Sequence, residues 1–429
     1  MMKLINATTR AGLGALKKLN RRAEPETSTR ETVATVLADI RERGDVAVVE
    51  YTRQFDRAEL SPATLGIPAA ALAAAWKELP AATKRVLQAS HRNVAAFARA
   101  GLRKSWSRRN EQGARVGEIY QGFDRVGLYV PGGTAPLVST AIMTVTLAKM
   151  AGCREIVVTT PCGPDGSVNP ALLAALHLAG ATEVWRIGGI QAIGALAYGT
   201  QSIRPVAKIF GPGNKFVIEA KRQVFGLVAV DQLPGPSEVM VLADDTGHPA
   251  WIAADLVAQA EHGHGSQAVL VTPSRELADA VAREVAVQLK SLSRQESLAH
   301  ALKTGGFIVL AADMAQAITI ANDYASEHLS LIVKDSRSVV RQITTAGAIF
   351  IGNHSPVAVG DYLAGPSHTL PTGGAGKSFA GLTVDQFQRR TSVVQLDAAA
   401  IRKSAPLVKV LSDLEGLDAH GRSAMIRLE

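Results

Sequence analysis

Between about residue 115 and residue 351 the chain alternates short β-branched runs with segments of helical length, and few architectures accept that pattern. Nine runs read as strands: Val126–Val130, Glu155–Thr159, Thr182–Arg186, Val206–Phe210, Glu238–Leu242, Ala268–Thr272, Phe307–Leu310, Leu329–Val333 and Ala348–Ile351. The stretches between them, such as Thr140–Ala151 and Pro170–Ala179, carry apolar residues at helical spacing. Strand, helix, strand in repetition predicts an α/β fold of parallel sheets flanked by helices. So many strands exceed one comfortable sheet. Two incomplete Rossmann-like units are expected, divided near the Pro-rich stretch Asp231–Ser237.

Upstream the pattern is helical. Ser28-Thr29-Arg30-Glu31 has the form of a capping box, opening TVATVLADIRER with Gly44 as its stop. Residues 68–102 read as two Ala-rich helices broken around Pro80. After Gly381 the regularity weakens, and the last ~45 residues read as a short helical extension. The expected division is an N-terminal helical arm (1–25), a first Rossmann-like domain (26–125 with 237–380), a second (126–236) and a C-terminal extension (381–429).

Bulk composition narrows the function classes. The chain has 429 residues, is 47% hydrophobic and contains no apolar run of the roughly 18 residues needed to span a membrane, so a soluble protein is expected, with no membrane partner. Net charge is +8, but Lys and Arg are interleaved with Asp and Glu, and no patch combines basic with aromatic residues. A nucleic-acid partner is therefore not expected. The N-terminus is basic (Lys3, Arg10, Lys17, Lys18, Arg21, Arg22) but lacks the apolar core of a secretory signal and reads as an amphipathic first helix. Two cysteines, Cys153 and Cys162, cannot form a disulfide framework or a four-thiolate zinc site. They fit a reduced, cytoplasmic setting. Either could be a nucleophile for aldehyde oxidation, yet both flank an apolar run, where small buried cysteines are common.

Three glycine-rich turns follow strands: Tyr129-Val130-Pro131-Gly132-Gly133, Ile187-Gly188-Gly189-Ile190-Gln191 and Phe210-Gly211-Pro212-Gly213-Asn214. Strand, glycines and helix start together let backbone N–H groups approach a phosphate, so three in one domain indicate a nucleotide site at the strands' carboxyl ends. Thr372-Gly373-Gly374-Ala375-Gly376-Lys377-Ser378 imitates a P-loop. Its first glycine position holds Pro371 and no strand precedes it, so it reads as a flexible loop. Gln259 and His262, three residues apart, would share one helix face, an amide and an imidazole suited to a metal. Asp361, His368 and His420 are further metal-competent side chains downstream. Glu327 and His328 set a carboxylate beside an imidazole before a strand. Neighbours there should point to opposite sides, giving two separate proton-transfer roles or a histidine that caps a helix end.

Taken together these segments resemble the histidinol dehydrogenase family over essentially the whole chain. The resemblance lies in RGDVAVVEYTRQFD, GLYVPGGTAPLVST, IGGIQAIGALAYGT, KIFGPGNKFVIEAKR, GPSEVMVLAD, AQAEHG, SEHLSL, GDYLAGPSHTLPT and EGLDAH. It implies oxidation of L-histidinol to L-histidine through the aldehyde, with two hydride transfers to NAD, in an intertwined homodimer. It implies one zinc per subunit on Gln259, His262, Asp361 and His420, the last from the partner subunit. Glu327 and His328 correspond to the catalytic pair. Ser237, His368 and Glu415, with the ligands and His328, correspond to substrate contacts, and Tyr129, Gln191 and Asn214 to NAD contacts. His264-Gly265, Ser326 and Ser367 depart from the usual family pattern without touching a ligand position, as does the run Gly374–Lys377. They leave open a relative acting on another amino alcohol or diol with NAD and zinc. A nucleotide-binding protein without catalysis is the alternative from a different class.

Overall fold

A computed structural model of the chain describes residues 2–19, 26–132, 136–263 and 265–429. The expectations placed on Gly133, His264, Arg21 and Arg22 lie outside the described residues.

Two six-stranded sheets organise the molecule. The N-proximal sheet runs in the order 66–67, 183–185, 155–159, 125–129, 208–210, 229–230, parallel except for the first pair. The C-proximal sheet runs 3–6, 306–310, 267–272, 238–243, 328–332, 348–351 and is parallel throughout. All nine expected strands occur, with ends shifted by at most two residues. Strand alternation fills both faces of each sheet. In the C-proximal sheet Val239, Val241, Leu270 and Ile308 face the helices Pro249–Ala260, Arg275–Leu289 and Gln295–Gly305. Met240, Leu242, Val269 and Phe307 face the helix Met314–Tyr324. Buried on both sides, such strands read as unbroken apolar runs.

The domain division differs from the expected one. Residues 26–125 belong with the N-proximal sheet. The helix Thr27–Arg43 packs on Gly189–Tyr198 and Lys215–Val224, Ala69–Glu78 on Pro170–Ala179, and Ala81–Gly101 on Val138–Met150. Their apolar stripes, including Val33, Leu37, Ile40, Leu72 and Val94, complete that sheet's two cores. The N-terminus is not an arm of helix alone, because Lys3–Asn6 adds a parallel edge strand beside Gly306–Leu310 before a short helix, Arg10–Ala15. The capping box does not form. The helix starts at Thr27, which leaves Ser28 inside its first turn, and it stops at Gly44 as expected. A third, antiparallel sheet joins Trp106–Arg109, Arg115–Gly122 and Gln388–Gln395. The C-terminal extension is thus a strand followed by the helices Ala398–Leu414 and Asp418–Met425. Among the described residues no helix is long and apolar enough to cross a membrane.

Candidate active site between the two sheets

Two cavities lie between the sheets. The larger, of about 1170 Å³, opens over the carboxyl ends of the N-proximal strands and is lined by Asp56, Tyr129, Gly132, Gly189, Gly213 and Asn214 among others. The strand order reverses between 125–129 and 208–210, and an open α/β sheet offers its crevice at such a switch point. Gly189 (φ +58°) and Gly211 (φ +111°) take left-handed backbone that these tight turns need. The Asn214 carboxamide oxygen accepts from the N–H groups of Phe216 and Val217, capping the helix Lys215–Val224. The buried Tyr129 hydroxyl accepts from the Gly189 N–H at 3.3 Å, and burial pushes its pKa up to about 12. Gln191 is buried beside the cavity instead of lining it, with its amide 3.5 Å from Asp56.

The smaller cavity, about 210 Å³, is lined by Ser237, His262, Glu327, His328, Asp361 and His368 together with Thr140, Pro212 and Thr372. It sits at the amino ends of the C-proximal strands, opposite to the carboxyl-end placement expected for nucleotide turns, because Ser237 and Glu327 immediately precede paired strands. The helix Pro249–Ala260 runs against the strands and so delivers Gln259 and His262 to the same end. The two cavities share Leu137, Pro212 and His262.

Glu327 and His328 do not point to opposite sides. The Glu327 carboxylate lies 3.5 Å from His328 Nδ1, and both line the one cavity. Glu327 stands outside the pleated strand, after Ala325 in left-handed conformation (φ +51°), so strand alternation does not govern it. The carboxylate accepts from the Ser237 hydroxyl at 2.7 Å and from the Glu238 N–H at 2.8 Å. Burial nevertheless drives its pKa up, against the lowering pull of His328 and these two donors. His328 Nδ1 is 3.1 Å from the Glu238 carbonyl, which can only accept. Nδ1 therefore carries a proton, and Nε2 faces the Asp361 carboxylate at 3.4 Å. Burial alone would depress this imidazole. The carboxylates of Glu327 and Asp361 overcome that and raise it to about 9. Asp361 is pushed up by burial, but His328 outweighs this and holds the carboxyl below its usual range.

His368 bridges the halves of the molecule. Its Nδ1 donates to the Asp361 carbonyl at 3.0 Å, so Nε2 accepts from the Thr140 hydroxyl at 2.8 Å, and burial keeps the ring neutral. Thr140, Asp56 and the hydroxyl of Thr372, which accepts from the Gly235 N–H, were not singled out in the sequence. Their only signal is position inside the shared motifs. The P-loop imitation is a tied loop: the Gly373 N–H donates to the Glu238 carboxylate, and Gly373 and Gly374 take left-handed backbone. Burial pushes both thiols, Cys153 and Cys162, up to about 11, which argues against a thiolate nucleophile.

Metal fitness can be tested on the donors. Gln259 is 4% exposed, and its side-chain nitrogen finds no hydrogen-bond partner. An orphaned buried amide is costly, and turning it over offers an oxygen to a cation instead. Asp361 is held ionised, and His262 is exposed at the cavity edge. Amide oxygen, imidazole nitrogen and carboxylate form a donor set that suits zinc. Among the described residues no group of three or more His, Cys, Asp or Glu could hold an ion. Glu415 and His420 are exposed and line neither cavity within this chain.

The whole chain is similar to known proteins. The histidinol dehydrogenase family model matches residues 19–428. A histidinol dehydrogenase from Synechococcus is 43% identical over 402 residues, covering 94% of this chain and 92% of the relative. One from Syntrophotalea carbinolica is 42% identical over 419 residues, covering 98% and 96%. The crystal structure of histidinol dehydrogenase from Elizabethkingia anophelis superposes with a TM-score of 0.94 at 32% identity, over all of this chain and 98% of that one. The chain belongs to the histidinol dehydrogenase family.

Proposed function

We propose that histidinol is oxidised in the smaller cavity, with NAD in the larger one and a zinc ion on Gln259, His262 and Asp361. Membership of the family makes the chain an NAD-dependent oxidoreductase that converts histidinol to histidine. The observation that carries the assignment of the cavities is their shared wall at Leu137, Pro212 and His262, where a nicotinamide and an alcohol carbon could meet. Zinc, when bound, would hold the imidazole and amine of the substrate in register with the protein groups. NAD would accept one hydride in each of two steps.

His328 takes the hydroxyl proton at Nε2, with Nδ1–H anchored on the Glu238 carbonyl to fix ring and tautomer. Asp361, which now faces Nε2, would hold the ion through the same carboxylate, leaving Glu327 as the ring's remaining carboxylate neighbour. Glu327 takes a proton from the water that adds to the aldehyde. Burial makes it a stronger base than a surface carboxylate, and Ser237 and Glu238 aim it. Ser237 and His368 line the cavity and contact the substrate there. Tyr129, Gln191 and Asn214 support the dinucleotide turns.

His420 of the partner subunit completes the ligand set, and Glu415 arrives with it. The extension supports this reading: on its helix Ala398–Leu414, Val410, Leu411 and Leu414 stand at helical spacing and are all exposed, Leu414 by 80%. Such an apolar helix face suits a second copy of the chain in a homodimer. Metal analysis tests the site. Purified enzyme should hold about one zinc per chain. Gln259→Ala and His420→Ala should each lose it while remaining folded. Full metal and activity in His420→Ala would remove the tail from the site.

A further inference from the structure

Lys221 and Asp231 form an ion pair whose side chains are both 0% exposed. Neither touches the smaller cavity, and the chemistry above does not use them. Both reach one residue. Lys221 Nζ donates to the Gly211 carbonyl at 2.9 Å, and Asp231 Oδ2 accepts from the Gly211 N–H at 2.8 Å. Asp231 Oδ1 accepts from Lys221 and, at 2.7 Å, from the Gln232 N–H. Gly211 sits at φ +111° and packs against the Tyr129 carbonyl, where a Cβ would collide. Both backbone polar groups of the residue that opens the turn Gly211–Asn214 are therefore held by a buried charge pair.

A buried ion pair is a poor device for stability alone, since apolar residues of similar volume often serve as well. It fixes geometry, because a charge-assisted hydrogen bond holds its partner at a set distance and direction. The turn it fixes has consequences on both sides. Pro212, Gly213 and Asn214 line the larger cavity, and Pro212 also lines the smaller one. Asn214 caps the helix on which Lys221 returns. Asp231 heads the linker that ends at Ser237 and Glu238, the donors to Glu327, and midway the Gly235 N–H donates to Thr372.

We propose that Lys221 and Asp231 are positioning residues for the dinucleotide: a buried clamp on the Gly211 peptide that sets the wall formed by Pro212–Asn214. This rests on the assignment of the larger cavity to NAD. The test uses full-length, zinc-loaded enzyme carrying Lys221→Met with Asp231→Leu, which removes both charges together, and Asp231→Asn as a milder second variant. Steady-state constants for NAD and histidinol, the NAD dissociation constant by calorimetry, and zinc content are measured. The expected result is NAD affinity weakened about tenfold or more in the double variant and at least about threefold in Asp231→Asn. Zinc content stays near that of the parent, and the histidinol KM moves by less than the NAD dissociation constant. Wild-type NAD affinity in a folded double variant would overturn the proposal, and so would failure of both variants to fold, which would make the pair a support of the core. Tyr129→Phe and Asn214→Ala serve as references. If they weaken NAD and the clamp variants do not, the clamp alone is wrong. If all leave NAD affinity unchanged, the cavity assignment is wrong.

Discussion

Replacing Ser237 by alanine should move the acid limb of catalysis upward. The Ser237 hydroxyl donates at 2.7 Å to a Glu327 carboxylate that burial already pushes toward its protonated form. A hydrogen bond to a charged group contributes about 1.5–3 kcal/mol, and one pKa unit corresponds to about 1.4 kcal/mol. The bond favours the ionised form, so its loss should raise the titration of Glu327 by roughly one to two units. A base that holds its proton to higher pH is inactive over a wider acidic range. The decline of kcat toward low pH should therefore begin about one to two units earlier in Ser237→Ala. The second donor, the Glu238 N–H at 2.8 Å, keeps the carboxylate in place, so the plateau rate should fall less than the limb moves. The assay is NADH formation at saturating histidinol and NAD across pH, with Ser237→Thr as the control that keeps a hydroxyl. An unshifted limb in Ser237→Ala would refute Ser237 as the donor to the working base.

Other outcomes follow from the same geometry. Glu327→Gln should lower kcat by about 10²–10⁴ while zinc content and NAD affinity hold, measured by steady-state kinetics and metal analysis; a loss below tenfold would take Glu327 out of proton transfer. Asp56 is pushed by burial from its ordinary 3.8 to about 6. The folded chain thus keeps a proton that the unfolded chain has released. Stability should be lost as pH rises from about 4 through 6, by roughly 2 kcal/mol after allowance for its partial exposure. Chemical denaturation across that window should show a smaller loss in Asp56→Asn than in the parent, since Asp255, which burial also pushes up to about 6, still contributes its share.

Much of the fold was legible because its strands are buried on both faces. Runs such as Glu238–Ala243 and Gln267–Thr272 need no alternation to be seen, only length and flanking turns. What escaped has a common cause. Trp106–Arg109 is wholly exposed and Gln388–Gln395 nearly so, and neither has an apolar pattern to find. Lys3–Asn6 pairs with Gly306–Leu310 far along the chain, which no local window reports. The helices of residues 26–125 were identifiable as helices, but the sheet they cover is decided by packing. In the site, His262, Asp361, Glu327, His328 and His368 were visible as residue types in motifs and line one cavity, while Gln259 lies in the last turn of the helix that leads to it. Thr140 and Lys221 carried no signal beyond their place inside shared motifs, because their roles exist only where the two halves or the turn meet them. The Glu327–His328 geometry was missed for the opposite reason, a strand rule applied one residue too early.

The most direct test of the central claim is a count of NADH formed per histidinol consumed, with limiting histidinol, excess NAD and zinc present. Two hydride transfers in one site predict about two NADH and histidine as the sole product. One NADH per histidinol with the aldehyde released, or no NADH at all, would contradict it.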